Sequence, residues 1–195
     1  MPAIAQSLQF QPVTRERLKD LRCFSEQHGK FRYCSCMRWR MRSSQFAGST
    51  RDDRVLALER LVRAGSPVGV LAYADHEPVG WCSIAPRESY AGLERYRALP
   101  RIDDRPVWSV ACFFVASKFR RKGVTLGLLQ AAVAYARSQD AETIEGYPVE
   151  PDSSLYTYMG SPSTFQAAGF RDVTPRGQAR LVMRYIVGKD HRGRP

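Results

Sequence analysis

The chain has 195 residues, slightly more than a typical single domain, and can bury a substantial hydrophobic core. Hydrophobic residues make up 44% and charged residues 25%, which is ordinary globular usage and argues against disordered or fibrous classes. The net charge is +11 and most basic residues are arginine, which favours anionic partners such as phosphates, acidic substrates or nucleic acid without choosing among them.

Membrane and export signals are not evident in the sequence. No run approaches the roughly 20 apolar residues of a membrane-spanning helix, and the first ten residues lack a signal-peptide pattern. We therefore expect a cytoplasmic protein without membrane contact, with one domain over 1–187 and a disordered tail over 188–195. It is expected to be a monomer or a homodimer.

The five cysteines are expected to be reduced, because their number is odd and a chain of this size is stable without cross-links. They are Cys23, Cys34, Cys36, Cys82 and Cys112. Some of them lie close to His28 in sequence, but the spacing matches no standard zinc site, so we predict no metal.

The first half of the chain predicts a strand, two helices and a β-hairpin, on the basis of helix caps and hydrophobic periodicity. In chain order the elements are a strand over 8–13, a helix over 15–27 capped by Thr14, a helix between Ser49 or Thr50 and Gly65, and strands over 68–74 and 79–85. The two strands are separated by a short turn sequence, which predicts antiparallel pairing.

The second half predicts strands that alternate with helices, after an arginine-rich loop over 89–106. In chain order the elements are a strand over 107–115, a helix over 123–138, a strand over 143–149, a helix over 162–168 and a strand over 178–187. The first of these strands is almost continuously apolar, which indicates a central position. The complete order indicates a mixed α/β sheet with helices on both faces.

A basic loop joins the central strand to the following helix. Its sequence is Arg120-Arg121-Lys122-Gly123-Val124-Thr125. Backbone N–H groups at a helix start bind anions, glycine allows a close approach, and the basic side chains add charge-assisted contacts. A basic turn that only joins two elements has a similar composition, so the loop alone leaves both interpretations open.

The loop resembles the Arg/Gln-x-x-Gly-x-Gly/Ala signature of the GNAT superfamily of acyl-CoA-dependent N-acetyltransferases, with Thr125 replacing the usual small last residue. Phe113-Phe114-Val115 is similar to the family strand whose backbone pairs with the pantetheine arm. The sequence from Phe165 to Gly169-Phe170 is similar to the last family helix and the Gly-Phe that follows it.

The resemblance implies a mixed, mostly antiparallel sheet of about six to seven strands, with helices on both faces and a splay between the fourth and fifth strands. It also implies acetyl-CoA as cofactor, bound between the strand ending near Val115 and the strand over 143–149, and direct acetyl transfer to an amine. The residues expected to contact acetyl-CoA are Phe113, Phe114, Val115, Arg120, Arg121, Lys122, Gly123, Val124, Thr125 and Phe165.

The general acid of the family is missing from its usual position. Many members have a tyrosine four residues before the Gly of the Gly-Phe pair, as proton donor to the leaving thiolate, and this chain has Phe165 there. A phenyl ring cannot donate a proton, so Tyr156, Tyr158 and Ser163 are candidates to replace it.

The catalytic candidates that remain are Glu150, Glu145 and Tyr147. Glu150 lies where a strand opens into a loop, as a general base would, whereas Glu145 and Tyr147 project from the other face of the strand. The alternatives are that one glutamate binds the cation of the substrate and that the other is a solvated surface charge.

The segment from Phe31 to Arg42 is rich in aromatic residues and arginine, and the resemblance implies that it walls the acceptor pocket. The residues expected to contact the acceptor are Tyr33, Cys34, Trp39, Trp81 and Tyr156. The same aromatic residues are equally suited to a hydrophobic core.

The first functional hypothesis is acetylation of a primary amine on a small molecule. Acetylation of a protein lysine or an aminoacyl-tRNA is the alternative within the same class. A non-catalytic acyl-CoA sensor would explain Phe165. A nucleic-acid-binding protein would use the arginines and aromatics from Phe31 to Arg42, although the other arginines are scattered along the chain.

Overall fold

The structure is a computed structural model that describes residues 7–154 and 156–188. Its strands are β1 (Leu8–Pro12), β2 (Gly69–Ala74), β3 (Glu77–Pro86), β4 (Trp108–Val115), β5 (Thr143–Gly146), β6 (Arg171–Asp172) and β7 (Met183–Ile186). Its helices are α1 (Leu18–Gln27), α2 (Gly29–Cys34), α3 (Met37–Arg40), α4 (Ser43–Ala47), α5 (Arg51–Arg63), α6 (Ala91–Glu94), α7 (Val124–Ser138) and α8 (Pro162–Ala167). The tail predicted over 188–195 lies, apart from Gly188, outside the described residues. Within these ranges, no helix has the length and apolar character needed to cross a membrane.

The seven strands form one sheet in the order β1-β2-β3-β4-β5-β7-β6. Every neighbouring pair is antiparallel except β4 and β5, which are parallel. These two strands pair only where Trp108 to Val110 lie opposite Ile144 to Gly146, and they separate beyond that point. The predicted sheet, with its splay between the fourth and fifth strands, is confirmed.

Helices cover both faces of the sheet. On one face, α7 packs against β2, β3 and β4 through residues such as Leu128, while α1, α2 and α5 surround Trp81 on the other face. Gly80 of β3 allows α7 to approach closely, because a Cβ atom there would lie only 3.1 Å from Val124 Cγ1 and 3.2 Å from Leu128 Cδ1. The start of α7 is therefore held directly against the sheet.

Local sequence explains most element ends and the main departures. α5 begins after Thr50, whose Oγ1 accepts the Asp53 N–H at 3.1 Å while the Asp53 carboxylate accepts the Thr50 N–H at 2.9 Å. The helix predicted over 15–27 starts as a 3-10 turn and becomes α1 only at Leu18. The strand predicted over 178–187 is reduced to β7, because its partner β5 has only four residues. β6 was not predicted, because two residues carry no periodicity.

A buried ionic network lies beside β5. The Glu145 carboxylate, 2% exposed, accepts hydrogen bonds from Arg87 Nη1 at 3.2 Å, Arg184 Nε at 2.7 Å and the Tyr147 hydroxyl at 2.8 Å. The further carboxylate partners of the two arginines are Glu94 and Asp103. Because Arg87 follows β3 and Arg184 belongs to β7, the network ties the short β5 to elements on both sides.

Glu145→Gln is expected to lower the free energy of unfolding by about 3 kcal/mol, at the low end of the range for broken buried ion pairs. The loss is at the low end because Arg87 and Arg184 each keep one carboxylate partner. Denaturant unfolding measures it, with the exposed Glu142→Gln as control. Equal stability of the two variants would show that the network does not stabilise the fold.

Candidate active site

A cleft of about 590 Å³ lies where β4 and β5 separate. One wall is the end of β4, from Phe113 to Val115, and the opposite wall is the segment from Val149 to Pro151 that follows β5. Val149 is fixed there by its N–H, which donates to the Gly160 carbonyl at 2.9 Å. The cleft is therefore a direct consequence of the incomplete strand pairing.

The backbone of β4 presents hydrogen-bonding groups to this cleft. The Ala116 N–H donates to the Val79 carbonyl at 2.9 Å, so Ala116 faces β3. Residues in an antiparallel pair alternate in the direction of their backbone groups, so those of Val115 and Phe113 point to the β5 side. Since β5 pairs with β4 only up to Val110, the N–H groups of these two residues are available to a ligand.

The start of α7 forms one end of the cleft. The helix begins after Gly123, which has a φ of +76° and provides no capping side chain. The first N–H groups of a helix have no intrahelical partner, so here they are free to bind a ligand. The side chains of Arg120 and Thr125 line the cleft, and Arg120 Nε donates to the Val115 carbonyl at 3.1 Å. This end of the cleft can bind an anion through backbone and side chain together.

The rest of the predicted loop contributes differently. The side chains of Arg121 and Lys122 are exposed and do not line the cleft, and Lys122 Nζ lies 5.5 Å from the centre of the Phe119 ring. Val124 is buried against β3. These residues shape the helix start and its electrostatic potential rather than the cleft wall.

The cleft residues fit a molecule with a phosphate end and an extended amide-bearing arm, which is the chemistry of coenzyme A. The helix start and Arg120 suit the phosphates, and the free edge of β4 suits the amides of the arm. Phe165, which was expected to contact this cofactor, does not line the cleft. Its ring is fully buried between Phe113 and Phe170, with centroid distances of 6.1 and 5.0 Å, and the neighbouring Thr164 lines the cleft instead.

The three catalytic candidates are separated by the structure. The exposed Glu150 lines the cleft, as expected of a residue that exchanges a proton with a bound amine. Glu145 and Tyr147 are buried in the ionic network, and the Tyr147 hydroxyl lies 2.7 Å from Ser109 Oγ and 2.8 Å from the Glu145 carboxylate. Their assignment as catalytic residues is therefore corrected, because protein groups already satisfy their hydrogen bonds away from the cleft.

A second cavity of about 440 Å³ adjoins the cleft. The residues that line both are Lys30, Phe113, Phe114 and Tyr158. The residues that line only the second cavity are Phe31, Tyr33, Cys34, Cys36, Arg38, Phe46 and Cys112. Its walls come mainly from α2 and the following segment, where the sequence predicted the acceptor pocket. Tyr33 and Cys34 were expected to lie there.

Of the other residues expected to contact the acceptor, Trp39 and Trp81 lie in the core and Tyr156 is partly buried. Trp81 is fully buried and its Nε1 donates to Cys36 Sγ at 2.9 Å, so the thiol and not the indole faces the cavity. Trp39 is buried against Tyr96 and Tyr156, at centroid distances of 5.2 and 5.8 Å. Trp39, Trp81 and Tyr156 line neither cavity, which corrects their assignment.

A buried arginine holds the wall of the second cavity in place. Arg54 of α5 donates to the carbonyls of Tyr33, Ser49 and Phe46, at 2.6 Å for Ser49 and 3.4 Å for Phe46. Its guanidinium carbon lies 4.1 Å from the centre of the Phe46 ring. One side chain therefore joins α2, α4 and α5.

Tyr158 is the ionisable phenol at the junction of the two cavities. Burial raises its pKa above the ordinary value, so the hydroxyl remains protonated at neutral pH. It was one of three residues considered as substitutes for the missing family acid, and nothing in its sequence context distinguished it from Tyr156. Burial likewise raises the pKa of the Cys34 thiol to about 11, so this cavity residue is not a thiolate at neutral pH.

Several lining residues were not predicted from the sequence, namely Lys30, Arg38, Phe46 and Thr164. Lys30, Arg38 and Phe46 lie on short helices whose mutual packing determines which side chains face inward. The signal for Thr164 was its position beside Phe165, since neighbouring residues at a helix start point to different sides.

A sequence model of the Acetyltransferase (GNAT) family matches residues 33–157. Similar solved structures include the aminoglycoside N-acetyltransferase AAC(6')-Iy in complex with CoA, with 18% identity, 90% of this chain and 95% of that chain covered, and a TM-score of 0.56. A ribosomal-protein-alanine N-acetyltransferase from Brucella melitensis has 18% identity, coverage of 92% and 99%, and a TM-score of 0.54. The aminoglycoside antibiotic 6'-N-acetyltransferase AAC(6')-Ih from Acinetobacter baumannii has 18% identity, coverage of 87% and 94%, and a TM-score of 0.52. At this identity the likeness shows the fold alone. No curated protein has a significant sequence match to the chain.

Arg120→Ala is expected to weaken coenzyme A binding by about 10- to 100-fold, because a hydrogen bond to a charged group contributes about 1.5–3 kcal/mol. Isothermal titration calorimetry measures the change. Arg137→Ala, on the exposed last turn of α7, serves as control and should retain wild-type affinity. A loss confined to Arg121→Ala would instead place the anion on the exposed side of the loop.

Proposed function

Because this chain belongs to the GNAT family of acetyltransferases, we propose that it transfers the acetyl group of acetyl-CoA directly to the primary amine of a small molecule. The observation that carries the small-molecule acceptor is the second cavity. It opens into the cleft between β4 and β5, which we call the cofactor cleft. Its walls are largely aromatic side chains, and its volume lies within the roughly 300–1,000 Å³ of small-molecule sites.

The cofactor and its protein contacts follow from the family and the cleft. Acetyl-CoA supplies, when bound, a thioester whose acetyl carbon is open to attack by an amine. The first turn of α7 and Arg120 hold the phosphates, and the backbone of Phe113 and Val115 pairs with the arm. The Val115 N–H is also the donor proposed to stabilise the negative charge that develops on the acetyl oxygen.

Proton transfer is assigned to two residues of the cleft. An amine must lose a proton to become a nucleophile, and the Glu150 carboxylate lines the cleft in a position to accept it directly or through water. The departing sulfur gains a proton from Tyr158, whose hydroxyl lies at the junction and whose raised pKa keeps it protonated. Tyr158 thus takes the role that Phe165 cannot perform.

The alternative functions have less support. The segment from Phe31 to Arg42 does not form an open stacking surface for nucleic acid, because Phe31 and Trp39 are buried. Two of its four arginines are also engaged: Arg32 pairs with Asp52 at 2.8 Å, and Arg40 donates to backbone carbonyls. A non-catalytic acyl-CoA sensor would not need both Glu150 and Tyr158 in one cleft.

The acceptor class is tested by measuring thiol release from acetyl-CoA with a panel of small primary amines, lysine-containing peptides and aminoacyl-tRNA. We expect release with small amines, because the second cavity encloses a compact ligand. Release only with peptides or tRNA would move the acceptor to macromolecules. Tight acetyl-CoA binding without release from any member of the panel would favour a sensor.

Tyr158→Phe is expected to lower kcat by about 100-fold or more, since general acid catalysis contributes about 10²–10⁴-fold. Its affinity for coenzyme A should change little. Tyr156→Phe is the matched control, because Tyr156 lies two residues away and lines neither cavity. Steady-state kinetics and calorimetry of both variants separate catalysis from binding.

The pH profile gives a second test of Tyr158. The protonated phenol is the active form, and its pKa lies above the ordinary value of about 10. The wild-type kcat should therefore show no decline due to this residue below about pH 10. A decline near neutral pH that disappears in Tyr158→Phe would contradict the assignment.

A further inference from the structure

The second cavity, which we call the acceptor cavity, has an unusual charge balance for a site that receives an amine. Its described lining residues include the cations Lys30 and Arg38 but no aspartate or glutamate. Glu150 lines only the neighbouring cofactor cleft. A cavity lined by positive charges and by no carboxylate repels polycationic amines and attracts anions.

Arg38 is held at the cavity without being neutralised. Its guanidinium carbon lies 5.5 Å from the centre of the Trp39 ring and 5.8 Å from that of Phe46, and Nη1 is 3.4 Å from Ser43 Oγ. Among the described residues, neither Arg38 nor Lys30 forms an ion pair. In contrast, Arg22 and Arg32 on the same side of the sheet each pair with a carboxylate.

The remaining surface of the acceptor cavity is largely aromatic. Phe31, Phe46 and Phe114 contribute phenyl rings, and Tyr33 and Tyr158 add phenols. Two cysteines of the wall are uncharged thiols at neutral pH, because burial raises the pKa of Cys34, and a hydrogen bond with Cys36 together with burial raises the pKa of Cys112. Such walls bind a flat or bulky apolar group through stacking and area burial.

We propose that the acceptor is an amine that carries an aromatic or similarly bulky apolar body and an anionic group, of which a carboxylate is the simplest. The apolar body occupies the aromatic part of the cavity. The anionic group pairs with Arg38, whose planar guanidinium binds carboxylates in a bidentate manner, and Lys30 adds to the positive potential. This inference rests on the proposed acetyl transfer to a small molecule.

The charge of the described lining residues also distinguishes this cavity from a site that recognises aminoglycosides or polyamines. Those acceptors carry several positive charges, which need carboxylates to replace the water lost on binding. The described residues of the acceptor cavity offer none. Glu150 in the adjoining cleft is suited to a single ammonium group, the one to be acetylated.

The test compares aromatic amino acids with their carboxamides and decarboxylated amines, so that ring and amine remain while the anionic group is removed. Calorimetry on the CoA-saturated protein and thiol-release kinetics are both measured, with spermidine and kanamycin as polycationic probes. We expect each carboxylate to bind at least about 10-fold more tightly than its carboxamide. Equal or weaker binding of every carboxylate would overturn the proposal.

Arg38→Gln should reduce affinity for the aromatic carboxylates by about 10- to 100-fold and leave affinity for the carboxamides nearly unchanged. Arg42→Gln, exposed and outside both cavities, is the matched control and should behave as wild type. An equal loss for carboxylate and carboxamide in Arg38→Gln would mean that Arg38 acts on the cavity shape and not on the anion.

Failure of this inference is distinguishable from failure of the proposed function. Thiol release with spermidine or kanamycin, and none with aromatic carboxylates, would refute the acceptor class while supporting acetyl transfer to a small amine. Absence of coenzyme A binding in wild-type protein would instead refute the proposed function itself.

Discussion

The early separation of β4 from β5 is the constraint on which the site depends. The ring of Phe165 packs against Gly146 so closely that a Cβ atom at Gly146 would not fit, and β5 ends at Gly146. β4 continues to Val115 without a strand on that side among the described residues. Buried backbone groups require partners, so a ligand with amide groups completes what the sheet leaves unfinished.

The two cavities divide recognition between backbone and side chains. The cofactor cleft offers backbone groups of β4 and the start of α7, which suit a ligand with amides and phosphates. The acceptor cavity offers aromatic rings and two cations. Tyr158 lines both cavities and Glu150 lines the cleft, so the two residues proposed for proton transfer face the region where the two ligands would meet.

Sequence patterns predicted the sheet and the strand, loop and helix around Gly123 well, because both depend on local signals. Strand alternation, the Thr50 cap and Gly123 each act within a few residues of their own position. Roles that depend on long-range packing were predicted poorly. Glu145, a catalytic candidate on sequence grounds, is bound by three buried partners: Arg87, which follows β3, Arg184 of β7, and Tyr147, which follows β5.

The acceptor wall is built from α2, α3 and α4, none longer than six residues, with Ser35 and Cys36 in left-handed conformations between the first two. Helices this short are not stable alone, and Arg54 links α2 and α4 to α5. The wall is thus fastened to a helix beside the sheet. Substitutions at wall residues that line only the acceptor cavity, such as Phe46, can accumulate during evolution without altering the lining of the cofactor cleft, so related chains can diverge in substrate while the catalytic framework stays constant.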